Sequence, residues 1–463
     1  MKRLSELARC FQGVMPSTIA TCGLDGEPNI TYLSQVHYVD EEHVALSCQF
    51  FNKTRRNIAE NPYASVVLYD PLTFEAWRLR LRFERAETSG PLFDSMSLRI
   101  DMIASHTGMA GVFRLLSADV YRVLALDPVE GFLTPPDPVL DALPPAPTTG
   151  GPLTELRGLQ AVSARIARAP DLDGLLGDAL LTLDELLGFG HSMVLLLEPC
   201  ARGGTRLVAI ASRGYGSGGI GAEVRPGEGL IGTVAERRRM QRVSGVAEVL
   251  RYGRAVRASA AKSGAATAPE IPLPGLPDAQ AQLALPLVVG ERLLGVLAFE
   301  SRDPLGFDDW DEAFLQIVAD QVAMGIERTR SLDEAPVEPP RPRRRARKTP
   351  ARALPTRRFV LYENDDCIFV DGEYLVRNVP ALILWKLLAQ HRDEGRSEFT
   401  NRELRLDPSL GLPAIEDNLE SRLILLRKRL AEKCPDVRLP STGRGTFALE
   451  LDCAVELEAR PTA

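Results

Sequence analysis

Residues 414–432 read AIEDNLESRLILLRKRLAE, and residues 438–451 read RLPSTGRGTFALEL. Leu419, Leu423, Leu426 and Leu430 recur at helical spacing, so they form one apolar stripe. Asn418, Ser421, Arg422, Lys428 and Arg429 fall largely off that stripe, which predicts a helix with one packed face and one polar, basic, exposed face. A Pro, a Gly-Arg-Gly turn and the alternating Phe447, Leu449 and Leu451 follow, as in a tight hairpin closing a small sheet. Such a pair reads either as an ordinary amphipathic helix with a solvated charged side or as a DNA-reading unit.

The surrounding order favours the second reading. Residues 358–376 alternate polar and apolar around a turn at Asp371-Gly372, and PALILWKLLAQH (380–391) is an apolar helix. A short helix capped by Thr400 or Asn401 comes next. Sheet, helix, short helix, long helix and hairpin is the order of a winged helix-turn-helix. On VDGEYLVRNVPALILWKLLAQH, LESRLILLRKRL and GRGTFALEL, residues 357–455 resemble the effector domain of OmpR-type transcriptional regulators. The resemblance implies double-stranded DNA as a partner. Arg427 and Arg444 would contact phosphates, and Asn418, Ser421 and Arg422 would face base edges, with Lys428 and Arg429 on the same basic helix. Two departures stand out. Ile424 and Leu425 replace residues that are usually polar in that family, and the wing glycines match only with a shift of one residue.

Length and composition set the frame. A chain of 463 residues predicts two or three domains, and 45% hydrophobic with 25% charged residues is globular composition. The formal charge of −7 hides an asymmetry, because Arg341, Arg343, Arg344, Arg345, Arg347, Lys348, Arg352, Arg357 and Arg358 fall in one acid-free stretch beside the proposed DNA module. Seven cysteines form no CxxC pair and no Cys/His cluster, so neither a disulfide framework nor a metal site is predicted. No apolar run is long enough to span a bilayer, and the expected location is cytoplasmic.

Two Pro-rich segments, residues 127–152 and 331–356, read as linkers and leave folded blocks at 1–126, 153–330 and 357–455. In the first, β-prone runs at 17–20 and 30–36, further strands at 43–48 and 64–69 and a period-two run at 78–87 predict a β-rich unit. Between them Lys53, Thr54, Arg55 and Arg56 sit at a strand-to-helix junction, where hydroxyl, N–H and guanidinium groups converge on a phosphate or simply face solvent. On DGEPNITYLS, FNKTRRNIAENP and Arg82-Phe83-Glu84, this block resembles the FMN-binding split barrel of the pyridoxamine 5′-phosphate oxidase family. The resemblance implies FMN held by some of Asn52, Lys53, Thr54 and Arg56 with Arg82 nearby, and a homodimer that completes the pocket. Alignment on Asn61-Pro62 favours Lys53 and Thr54; alignment on the basic pair favours Arg56. Arg85 stands where the family has Gly, and the family's cluster for the substrate phosphate is not found, so no catalytic residue is assigned.

The middle block reads as two helices, strands at 192–198 and 207–212, a hairpin around Gly290-Glu291 and a closing helix capped by Asp308. On RPGEGLIGTVAE, LPLVVGERLLGVLAFES and FDDWDEAFLQIVADQVAMGIER it resembles a GAF domain, which implies a small-molecule ligand. Arg213, Tyr215 and Arg225 beside a Gly-rich loop read either as pocket residues or, as Gly-rich segments more often do, as part of a flexible surface loop, and residues 258–278 read as disordered. The expected fold class is therefore multidomain α+β: split β-barrel, GAF α/β sandwich and winged helix-turn-helix. The expected function is a sensory transcriptional regulator, and the alternative is a flavin-dependent oxidoreductase with regulatory domains.

Overall fold

A computed structural model describes residues 2–129, 152–258, 275–333 and 355–460, except 34, 50–52, 110–111, 113, 200–203, 216–218, 247–249, 252–253, 256, 364–365, 411, 413–418 and 444. Most of both expected linkers, most of the 258–278 segment and the 341–352 arginine run lie outside the described residues. The chain is a multidomain α+β protein.

The N-terminal unit is one seven-stranded antiparallel sheet, ordered Pro28–Leu33, Ser17–Cys22, Tyr63–Tyr69, Ala76–Glu87, Ser117–Pro128, His43–Cys48 and Val36–Tyr38. The period-two alternation of the sequence becomes alternating burial, so Ile19, Val66, Leu68, Leu79 and Leu81 face inward against Leu4, Leu7 and Phe11. The expected run 30–36 divides into two strands, Pro28–Leu33 and Val36–Tyr38. Register shifts at Arg80/Leu81 and Phe83/Arg85 bend the longest strand pair and help the sheet to curl.

The central unit is a six-stranded sheet, ordered Glu223–Val224, Thr205–Arg213, Ser192–Pro199, Arg292–Ser301, Ala281–Val289 and Gln241–Ser244. Its inner strands are buried along most of their length, so both faces must be covered. Helices Pro152–Arg168, Leu172–Leu187 and Asp309–Asp333 cover one face through residues such as Leu175, Leu183, Val318 and Val322. Asp308 caps the last of these, its Oδ1 accepting from the N–H of Trp310 and of Asp311, both at 2.9 Å.

The other face is covered partly from outside the unit. Helix Pro91–His106 of the N-terminal unit places Met96, Ile100 and Ile103 in one cluster with Leu195, Val234 and Val296 of the central unit. Each such burial contributes roughly 1.5–3 kcal/mol. At the end of this helix Ser105 Oγ donates to Gly227 O and accepts from Gly229 N, both at 2.7 Å. The two units therefore share a core, which the reading of separate blocks joined by a linker did not foresee.

The C-terminal unit begins with the sheet Glu373–Arg377, Cys367–Val370, Thr356–Tyr362 and Ala454–Arg460, the last pair parallel. Asp371 and Gly372 turn at φ 51° and 89°, the positive values that a two-residue hairpin favours. Helices Val379–Glu394, Asn401–Arg405 and Leu419–Lys433 follow, with a small sheet ordered Glu398–Thr400, Thr446–Ala448 and Ser441–Gly443. Thr400, rather than Asn401, caps the short helix by accepting from Glu403 N at 3.2 Å.

Candidate functional site

The expected phosphate-binding loop lies at the start of helix Lys53–Glu60. A cavity of about 70 Å³ opens there between strands Ser17–Cys22, His43–Cys48 and Ser117–Pro128, lined by Ser47, Gln49, Thr54, Arg55, Asp119 and Tyr121 among others. Of the predicted cofactor residues that the structure describes, only Thr54 lines it, and its Oγ1 accepts from Asn29 Nδ2 at 2.9 Å. Lys53 is paired instead with Glu27 at 2.8 Å, Arg56 and Arg82 are exposed away from the cavity, and Asn52 lies outside the described residues. Arg55, which the alignment passed over, is the cation on the cavity wall, with Nη1 3.7 Å from Cys48 Sγ. Burial raises the Asp119 carboxyl above its ordinary range, although Ser117 Oγ donates to it at 2.6 Å.

These donors suit an anionic oxygen, but the space does not suit a flavin within one chain. A cavity of about 70 Å³ compares with about 300 Å³ or more for ordinary small-molecule pockets. Its mouth carries Tyr32, which is 68% exposed, beside Ile30, which is 72% exposed. An isoalloxazine ring there would need a second surface to cover it.

The predicted DNA-reading helix Leu419–Lys433 departs further from expectation. Its leucine stripe is buried as read, in a core with Leu384, Leu387, Phe399 and Phe447. The face expected to be exposed is buried as well. Ser421 is 1% exposed and Arg422 2%, so neither faces solvent as predicted. Ser421 Oγ donates to Glu198 Oε1 at 3.1 Å, and Arg422 Nε lies 3.7 Å from Glu198 Oε2. Ile424 enters the core of the central unit and Leu425 packs against it. Lys428 Nζ reaches Ile210 O at 3.0 Å and Asp173 at 3.1 Å, while Glu420 accepts from Leu172 N at 3.1 Å.

Residues 421, 424, 425 and 428 are themselves spaced as one helical face. The second stripe was legible in the sequence as Ile424-Leu425, the two residues that break the family's polar pattern. Of the remaining predicted residues, Arg427 donates to Leu439 O at 2.8 Å beside Phe447, and Arg429 pairs with Glu432 at 3.1 Å. Asn418 and Arg444 lie outside the described residues.

In the central unit Arg213 is bound to Asp184 at 2.6 Å and the Arg225 side chain is 80% exposed beside Glu228, so these two do not act as free pocket-lining cations. No helix among the described residues is long and apolar enough to cross a membrane.

Comparison with known proteins gives two family matches. Residues 5–131 match the pyridoxamine 5′-phosphate oxidase model, and residues 171–326 match the GAF domain model. Among solved structures, the GAF domain from an Acinetobacter phosphoenolpyruvate-protein phosphotransferase is 19% identical, covering 40% of this chain and 98% of that one, with a TM-score of 0.32. An FMN-binding protein from Syntrophomonas wolfei is 19% identical over 28% of this chain and 87% of its own, with a TM-score of 0.23. Free methionine-R-sulfoxide reductase from Neisseria meningitidis is 17% identical over 39% of this chain and 95% of its own, with a TM-score of 0.31. No curated protein matches. The chain carries a pyridoxamine 5′-phosphate oxidase-like domain followed by a GAF domain, two folds of the sensory kind.

Proposed function

We infer that the protein is a sensory transcriptional regulator whose C-terminal unit is a winged helix that binds double-stranded DNA, held inactive by docking of its reading helix on the GAF domain. The observation that carries this reading is the burial of Ser421, Arg422 and Ile424 against Glu198 and the GAF core. A helix that reads bases must expose that face, so release from the GAF domain becomes the switch. The order of sheet, three helices and hairpin in the C-terminal unit supports the winged-helix reading, as does the basic run at 341–352 beside it. FMN as the signal of the first domain rests on its family match and on the donors Thr54 and Arg55. Exposed Ile30 and Tyr32 suit a second copy that would complete the pocket, in keeping with a homodimer. No observation favours the flavin-oxidoreductase alternative over this reading.

The test places the change on the GAF side and leaves the DNA-reading surface intact. Glu198→Lys sets two cations against each other at the docking contact. If the docked state masks DNA binding, apparent affinity of the full-length chain for a random-sequence duplex rises about tenfold or more in fluorescence anisotropy, with a steep salt dependence. Absence of salt-dependent binding in both wild type and Glu198→Lys would remove the DNA-binding reading.

A further inference from the structure

Helix Asp309–Asp333 buries Leu315, Val318, Val322 and Ile326 in the core of the GAF domain. Its outer side carries Trp310, Ile317 and Met324, which are 54%, 46% and 59% exposed with all described residues in place. These three recur every seventh residue, so they form a line nearly parallel to the helix axis and about 21 Å long. Ala313, exposed between the first two, leaves the backbone open to close approach. Large apolar residues scattered singly on a surface need no partner, but a line at this spacing is the seam of a helix pair.

Helix Pro152–Arg168 runs beside this helix in the same direction: Ser163 Oγ donates to Gln321 Oε1 at 2.7 Å, and Arg328 Nη2 donates to Ile166 O at 2.6 Å. In that register Leu156, 63% exposed, lies level with Phe314 and widens the apolar strip. The helix pair has two ends of unlike charge. At its start Asp308, Asp309, Asp311 and Glu312 outnumber Arg157 and Arg242. At its finish Arg165, Arg168 and Arg328 gather, while Glu327 there is paired with Arg292. Asp320 is exposed between Ile317 and Met324.

A surface that pairs with itself must offer each of its groups a complement across a two-fold axis. We propose that this outer face of the GAF domain docks on the same face of a second copy of the chain, with the two Asp309–Asp333 helices antiparallel and crossing at Ile317. Trp310 then lies level with Met324 of the second copy, and the acidic start of each helix pair meets the basic finish of the other. Antiparallel contact also separates Asp320 from its counterpart, whereas parallel contact would set the two carboxylates side by side. The face is separate from the Ile30 and Tyr32 edge and from helix Leu419–Lys433, so this contact depends on neither flavin nor DNA.

The test is cross-linking of the full-length chain with a short bismaleimide, read by denaturing electrophoresis. Trp310→Cys and Met324→Cys variants are expressed separately and together, with the wild-type chain as the background from its own cysteines, of which Cys10, Cys434 and Cys453 are buried. Expected is about tenfold more covalent dimer from the co-expressed pair than from either variant alone, and about a tenfold loss when Ile317→Glu is added to both. Ile317 is half exposed, so the added carboxylate is tolerated within one chain. Equal cross-linking by each variant alone would overturn the antiparallel pairing. No dimer above the wild-type background, as when another segment of the chain covers this face, or a yield unmoved by Ile317→Glu, would overturn the contact itself.

Discussion

Arg422 and Glu198 face each other across the boundary between the C-terminal unit and the GAF domain, 3.7 Å apart, with only 2% and 4% of their surfaces exposed. Two charges taken this far from water are held by their mutual attraction and by the hydroxyl of Ser421. Removing one partner strands the other. Arg422→Ala should therefore cost about 3–5 kcal/mol in urea denaturation, whereas the paired change Arg422→Met with Glu198→Leu should recover most of that loss.

The same contact makes docking depend on pH. Burial raises the Glu198 carboxyl above its ordinary value, more than Arg422 and Ser421 lower it. The folded state then binds this proton more tightly than the unfolded chain, so the associated stability is full below the ordinary carboxyl pKa and is lost as pH rises through the raised value. Other buried carboxyls, Glu300 among them, titrate upward as well, so the difference between wild type and Glu198→Gln is the informative quantity. The wild-type urea midpoint should fall relative to that of Glu198→Gln across this window.

Ser105 serves the other joint. Its hydroxyl bonds both Gly227 O and the buried N–H of Gly229. Ser105→Ala leaves that N–H without its acceptor and should cost about 1–3 kcal/mol, read as a lower thermal midpoint of the full-length chain.

Binding measurements on variants around the cavity beside Thr54 separate the two alignments of the phosphate loop. If FMN uses this cavity, Thr54→Val and Arg55→Ala should each weaken it about tenfold, while Arg56→Ala and Arg82→Ala leave it within about twofold. Quenching of FMN fluorescence on titration with the full-length protein reads this out. The reverse pattern would return the phosphate to the Arg56 register.

Much of the fold was legible because local pattern and tertiary environment agree. Alternation at residues 78–87 became a strand with one buried face, and Asp308 caps the helix it precedes, while of Thr400 and Asn401 it is Thr400 that caps the short helix. The leucine stripe of 419–430 is buried as its spacing demands. Misreadings fell where two units meet. Helix Pro91–His106 lies in a stretch of the first block for which no element is read from the sequence, and its Met and Ile residues cover the GAF sheet. Ser421 and Arg422 were read as solvent-facing because polar residues off an apolar stripe usually are.

By itself the sequence determined many of the strands and helices, the leucine-striped helix and the Asp308 cap among them, since period and capping chemistry act within a few residues along the chain. The tertiary structure decided which polar residues are buried. Arg422 meets Glu198 across 224 positions of sequence, and Arg99 is enclosed by segments from both ends of the first two domains. The free energy of a charge depends on what surrounds it in space, and spacing along the chain does not specify that.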